Sequence, residues 1–272
     1  MKETVEVTIT IESEQVKEEV LAQLSTIGFD AFEETADQLI AFIDSSNFDE
    51  NILKSVLSHY DLSFGKTTIE DQNWNALWES NFQPVVVDDF CAIRAEFHPP
   101  FTHKEHDILI TPKMSFGTGH HATTYMMIKE MSKLDFQNKT VADFGTGTGV
   151  LAILAEKLGA KKVWACDIDD WSIENATENI MKNDCKNIEI EKTDGFTATE
   201  KFDIILANIN KNVILSNVQL LASALKEAGE ILLSGLLQHD EKEVVEAFST
   251  RGFTHRSTVE KSNWICVSLQ VV

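Results

Sequence analysis

The chain of 272 residues has only four cysteines, Cys91, Cys166, Cys185 and Cys266, with no CxxC pair among them. That excludes a disulfide framework and a cysteine-rich zinc site, and it predicts reduced, mostly buried thiols. The eight histidines include His120-His121 but no HExxH pattern, so no metal site is expected. Arginine is scarce, at Arg94, Arg251 and Arg256, and 23 basic residues face 44 acidic ones for a net charge of −21. Such a surface repels phosphate backbones and anionic lipid, which argues against nucleic-acid or membrane binding and for a basic partner. No apolar run approaches the roughly 18 residues of a membrane span. The opening Met1-Lys2-Glu3-Thr4-Val5-Glu6 lacks the apolar centre of an export signal, so a cytoplasmic chain is expected. All four prolines fall between Pro84 and Pro112. Regular structure should be most interrupted there, and long helices and central strands should follow.

What is present is ordinary for a globular protein: 43% hydrophobic and 25% charged residues. At roughly 150 residues per domain the length suits about two domains. Residues 1–70 read as a small α+β unit. Val5, Val7, Ile9 and Ile11 alternate with polar residues as in a half-buried strand. A helix opens at Ser13, with Val16, Val20, Leu21, Leu24 and Ile27 on its apolar face and Gly28 as its stop. Short strands at Ala31-Phe32 and Leu39 to Ile43, a helix capped at Asn47 that buries Ile52, Leu53, Val56 and Leu57, and a strand over 62–69 complete a βαββαβ order. That is the ferredoxin-like plan. The segment up to Gln72 carries 16 acidic and 4 basic residues and no Gly-rich loop, which points to docking rather than chemistry.

Residues 71–90 read as a linker helix, with Trp74 and Trp78 on one face four residues apart. Residues 91–272 form the second domain. From Lys139 onward strands and helices alternate: strand 140–143, helix 150–158, strand 162–167, helix 170–182, strands 188–190 and 203–207, helix 211–226, strand 230–234, helix 240–249 and two last strands. This order specifies an α/β fold with helices on both faces of a parallel sheet.

The chemistry begins at Asp143-Phe144-Gly145-Thr146-Gly147-Thr148-Gly149, where the first of these strands turns into a helix. Glycines there permit positive φ and close approach of a ligand. Val150 stands where a dinucleotide fingerprint needs its third glycine, and no Gly-Lys-Ser/Thr follows to make a phosphate-binding loop. Asp167, ending the next strand, can accept hydrogen bonds from both hydroxyls of a ribose. Loop and carboxylate together indicate an adenosine-bearing ligand, either S-adenosylmethionine or NAD. Two further segments favour the former. Asn208, in Ala207-Asn208-Ile209, follows an apolar strand at the carboxyl edge of the sheet, where it can hold a nucleophilic nitrogen. Phe116-Gly117-Thr118-Gly119-His120-His121-Ala122-Thr123-Thr124 runs from a glycine loop into a helix whose start suits an amino-acid carboxylate. His121 is a second candidate near the amine, and packing at the helix start is its competing role.

The order of these four segments resembles the PrmA family of ribosomal-protein methyltransferases, which methylate the eleventh protein of the large ribosomal subunit. The likeness extends over the whole chain, including the N-terminal unit and the Trp74/Trp78 segment. It implies a class I methyltransferase domain, Rossmann-like with a seven-stranded mostly parallel sheet, and a ferredoxin-like domain that recognises the ribosomal protein. It also implies S-adenosyl-L-methionine as cofactor, contacted by Phe116, Thr124, Gly145, Gly147, Asp167 and Asn208. The reaction implied is transfer of methyl groups to lysine ε-amines or an N-terminal α-amine, by a monomer. Ala122 replaces a usual proline, and Asn210-Lys211 replaces a usual Leu-Ala. The alternatives are a NAD-linked oxidoreductase and an adenosine-binding interaction protein without catalysis.

Overall fold

In the N-terminal unit, Val5, Val7 and Ile9 alternate with Thr and Glu along β1 (Glu3–Thr10), so one face is fully buried and the other meets solvent. A computed structural model describes residues 3–11, 13–35, 37–70, 82–113, 117, 119 and 121–272. The chain divides into two compact units, Met1–Phe82 and Gln83–Val272. The first continues with α1 (Glu14–Thr26), β2 (Ala31–Glu34), β3 (Gln38–Asp44), α2 (Glu50–Ser58) and β4 (Phe64–Glu70). Its sheet has the order β2-β3-β1-β4 with every neighbour antiparallel, which is the ferredoxin-like arrangement. Val20 and Leu24 of α1 and Leu53 and Leu57 of α2 pack on Val5, Val7, Ile9, Leu39, Ala41 and Ile43.

Two details differ from the sequence reading. The cap of α2 is Asp49, whose carboxylate accepts from the Asn51 and Ile52 N–H groups, and Asn47 instead ends a short 3₁₀ turn. Ile52 is 48% exposed, because the Leu53–Leu57 pair fixes the buried stripe and Ile52 lies about 100° around the helix from Leu53. Lys17 is fully buried, yet its ammonium donates to the Thr35 carbonyl at 2.8 Å and pairs with Glu14 at 3.1 Å, so its charge is satisfied.

Of the stretch read as a linker, residues 71–81, with Trp74 and Trp78, lie outside the described residues. Val85–Val87 is instead a strand, β5, of the second unit. With β6 (Cys91–Arg94) and β7 (His106–Leu109) it makes a three-stranded sheet in the proline-bearing region, where the sequence reading named no strand. Pro84, Pro99, Pro100 and Pro112 sit outside those strands, so the ladder keeps its donors.

The main sheet follows α3 (Ala122–Met131). In chain order its elements are β8 (Thr140–Phe144), α4 (Val150–Lys157), β9 (Lys162–Asp167), α5 (Asp170–Lys182), β10 (Ile188–Lys192) and β11 (Phe202–Asn208). Then come α6 (Lys211–Ala224), β12 (Leu225–Leu237), α7 (Glu241–Ser249), β13 (Phe253–Lys261) and β14 (Trp264–Val271). The seven strands run β10-β9-β8-β11-β12-β14-β13, parallel except for the pairs that β14 makes. This is the class I methyltransferase order, and its direction reverses between β8 and β11. Residues of β8 and α4 are almost wholly buried, as a central strand and its crossover helix must be. Helix α6 stops at Ala224, two residues earlier than the pattern suggested, because Leu225 already pairs with Phe202 as β12 begins.

One polar clamp joins β8, β11 and β12. Asp203 accepts from the Thr140 N–H and hydroxyl, both at 2.8 Å, and from the Lys226 ammonium at 2.8 Å. Burial pushes its carboxyl up, but the Lys226 charge and the Thr140 donors outweigh that and hold it at about 2, below the usual 3.8. A depressed carboxylate stabilises the fold above its unfolded value, and that gain is lost as pH falls from about 4 through about 2. We expect Asp203→Asn to lower unfolding free energy by about 1–2 kcal/mol at pH 7, with the difference vanishing near pH 2. Urea unfolding at the two pH values checks this.

Candidate active site

The reversal of strand order between β8 and β11 opens a crevice at the carboxyl edge of the sheet, where open α/β sheets bind ligands. On the β8 side the chain turns through Gly145, Gly147 and Gly149, all with positive φ. Gly145 also lies against Ile209, whose Cγ2 would collide with any added Cβ. The Gly145 and Thr146 N–H groups both donate to the Cys166 carbonyl at 2.9 Å, which ties the loop to β9. Beneath it Asp143 is fully buried, and one of its oxygens accepts from the Thr146 hydroxyl at 2.6 Å and the Ala152 N–H at 3.2 Å. Its other oxygen, Oδ1, has no partner among the described residues. Burial pushes this carboxyl up to about 7, against the pull of the Thr146 and Ala152 donors and with help from the Asp167 charge.

Asp167 stands where β9 ends. One carboxylate oxygen accepts from the Gly147 N–H at 2.9 Å and the other from the Asp169 N–H at 3.2 Å. A carboxylate offers about four acceptor positions, so two remain for hydroxyls. Asp170 lies in the first turn of α5 and pairs with Lys192 at 2.6 Å, which leaves Asp167 as the carboxylate bound to the loop.

On the β11 side, Asn208 is 9% exposed, and its Nδ2 donates to the Thr124 hydroxyl at 3.3 Å. Its Oδ1 is buried with no partner among the described residues. Thr124 is fully buried in the first turn of α3 and reaches the crevice through Asn208, whereas its neighbour Thr123 lines the wall. His121 caps α3. Its Nδ1 lies 2.7 Å from the Thr123 hydroxyl and takes the Thr123 N–H, and its ring meets Trp264 edge-on at 4.8 Å. The Thr148 hydroxyl donates to the Gly117 carbonyl at 2.8 Å, linking the segment before α3 to the glycine loop.

These groups surround one cavity of about 880 Å³. Gly145, Gly147, Asp167, Asn208 and His121, all singled out from sequence, line it together. Phe116 lies outside the described residues. Sequence reasoning missed several lining groups. Thr193 and Asp194 follow β10 at the same edge and were open to the rule that found Asp167. Ile168 and Trp171, 58% and 75% exposed, bring apolar surface to the cavity. Gly235 and Trp264 have no local signal. Gly235 (φ 81°) sits at a bulge of β12 against the Ile209 backbone, and Trp264 reaches the edge because β14 runs antiparallel.

A family profile described as Ribosomal protein L11 methyltransferase (PrmA) matches residues 1–271. The chain belongs to the PrmA family. Relatives agree along the full length. The ribosomal protein L11 methyltransferase of Phocaeicola vulgatus is 39% identical over 272 residues, covering 96% of this chain and 97% of its own. That of Chlorobaculum tepidum is 36% identical over 260 residues, covering 90% and 89%. The crystal structure of a ribosomal protein L11 methylase from Lactobacillus delbrueckii subsp. bulgaricus matches 69% of this chain and 98% of its own, with a TM-score of 0.64 at 32% identity. The chain is thus an S-adenosylmethionine-dependent protein methyltransferase, and a NAD-linked oxidoreductase finds no support.

The site fits that donor. Gly145 and Gly147 line the cavity on the loop side, Asp167 keeps acceptors for a ribose, and Asn208 Oδ1 is a buried acceptor with no partner among the described residues. The two departures from the usual PrmA sequence have local uses. Ala122 occupies the first position of α3, where proline and strong helix formers both suit. Asn210 caps α6 by accepting from the Val213 N–H, and Lys211 turns to Asp240 and Glu243.

The state of Asp143 makes a test of the loop. Between about pH 4 and pH 7 its unfolded carboxyl is ionised while the folded one still holds its proton, so this group lowers stability as pH rises through that window. Asp143→Asn should flatten that part of the stability–pH profile, and in the wild type the Thr146 and Ala152 amide resonances should titrate near pH 7. Resonances that do not move between pH 5 and pH 8 would contradict the assignment.

Proposed function

We propose that this chain methylates ribosomal protein L11 on lysine ε-amines or an N-terminal α-amine, with Asn208 holding the accepting nitrogen. The observation that carries the reading is the Asn208 amide. Its Nδ2 is tied to Thr124, which fixes its orientation, and its Oδ1 is buried with no partner among the described residues. An unmet buried acceptor costs about 1–3 kcal/mol, so the position favours a ligand that brings an N–H donor. When bound, S-adenosylmethionine supplies an electrophilic sulfonium methyl. Asp167 would receive its ribose hydroxyls, Gly145 and Gly147 would let its chain lie close to the loop, and Thr124 would act through Asn208. Phe116 joins this set on the family pattern.

The accepting amine has to be neutral, and an unperturbed lysine has a pKa of about 10.4. Phe144, Ile209, Val213 and Trp264 give the cavity apolar walls that disfavour the ammonium form. The carboxylates of Asp167 and Asp194 belong to β9 and β10, on the other side of β8 from Asn208, and so bear less on its charge. Positioning and desolvation then do most of the work, and the proton passes to solvent. His121, with Nδ1 engaged by Thr123, would shape the amine's path.

The N-terminal ferredoxin-like unit would recognise the ribosomal protein. Its strongly acidic sequence suits a basic partner and would speed encounter. The same charge disfavours direct RNA contact, and we place the enzyme in the cytoplasm as a monomer.

Asn208→Ala should cut turnover by about 100-fold or more while S-adenosylmethionine affinity changes less than about threefold. Equal losses in single-turnover rate and in titrated cofactor affinity would show that Asn208 serves the cofactor alone. For the docking role, KM for the ribosomal protein should rise with ionic strength. A KM that salt leaves unchanged would remove the steering role.

A further inference from the structure

A second cavity, of about 460 Å³, adjoins the first. His121 and Trp264 line both, so their edge-on pair is the partition between them. Strand order sets the direction. The groups at the edge of the sheet come in the sequence Asp167 (β9), Gly145 (after β8), Asn208 (β11), Gly235 (β12) and Trp264 (β14). At about 4.8 Å per strand, Trp264 is about 19 Å from the Asp167 end. The second cavity therefore opens beyond the Asn208 side, away from the carboxylates suited to a ribose.

Its outer wall holds a cation already. The Lys261 ammonium sits 3.7 Å from the centre of the Tyr125 ring, a close cation–π contact. Both residues line the cavity with Gly119, Ala122, Ser262 and Trp264. The placement is built in by the β13–β14 hairpin. Ser262 and Asn263 make a tight turn with positive φ at both, and Lys261 and Trp264 are directly paired across it. Tyr125 comes from α3, the helix that carries Thr124 behind Asn208. An aromatic face that binds an alkylammonium thus stands one partition away from the amide assigned to the accepting nitrogen.

We propose that this cavity is an antechamber for the substrate's lysine side chain. The side chain lodges as ammonium on Tyr125, displaces Lys261, gives its proton to solvent, and then passes His121 and Trp264 to Asn208 as the neutral amine. The inference rests on the methyl-transfer reading above and names a specificity subsite for it. Lys261 is the internal competitor: it covers the aromatic face until a stronger occupant, drawn by the acidic surface, replaces it.

A direct test uses full-length protein with ¹³C-labelled lysine. The ring current of Tyr125 shifts the Lys261 ε-methylene resonance. N-acetyl-lysine amide should move it saturably toward the position of an exposed lysine, which it already occupies in Tyr125→Leu. N-acetyl-norleucine amide, of similar shape but without charge, should leave it in place. No movement with the lysine compound, or equal movement with both, overturns the subsite whether or not the ribosomal protein is methylated. In turnover, Lys261→Met should lower KM for the ribosomal protein by about three- to tenfold, with S-adenosylmethionine affinity unchanged. The same change in the Tyr125→Leu background should have little effect. An equal effect in both backgrounds would mean that charge alone is at work, and it would also overturn the proposal.

Discussion

The site depends on a close approach of two backbone segments at the reversal of the sheet. Ile209, just after β11, packs against Gly145 on one side and against Gly235 of β12 on the other, and a Cβ at either glycine would strike it. That contact puts the end of β11, with Asn208, beside the loop that leaves β8. The loop is held in turn from β9, by the Cys166 carbonyl on the Gly145 and Thr146 N–H groups and by the Asp167 carboxylate on the Gly147 N–H. A ligand in the crevice thus meets a surface already formed, and Asp167 accepts one N–H on each oxygen, which leaves further lone pairs open.

Polar groups are divided along the sheet edge in a way that suits methyl transfer to an amine. Carboxylates collect at the β9 and β10 end, where Asp167, Asp169 and Asp194 line the cavity. From β11 to β14 no carboxylate lines the cavity among the described residues, and the unmet acceptor on that side is the Asn208 amide. An amide oxygen can orient an amine without stabilising its ammonium form as a carboxylate would, so the gradient of charge itself helps to deliver a neutral nucleophile. The acidity of the chain as a whole suits the other side of the process, the encounter with a basic substrate.

Much of this was legible in the sequence, for local reasons. The glycine loop, Asp167 and Asn208 each follow an apolar strand directly, so the motif and its place at the carboxyl edge could be read together. Alternation along β1 and the α/β order after Lys139 likewise report burial periodicities that depend only on neighbours in the chain. What escaped depends on distant partners. Trp264 meets the site only because β14 runs antiparallel beside β12, and Gly235 matters only because Ile209 lies on it. The sheet of β5 to β7 was hidden by prolines that flank its strands. The cap of α2 is Asp49 and not Asn47, a difference of two residues decided by which side chain reaches the free N–H groups.

The most direct test of the central claim is the intact mass of unmodified ribosomal protein L11 after incubation with this enzyme and S-adenosylmethionine. The account requires a rise in whole methyl units that builds up about 100-fold or more slowly with Asn208→Ala, although that variant still binds the cofactor. An unchanged mass with wild-type enzyme whose cofactor site is shown to be filled would contradict it.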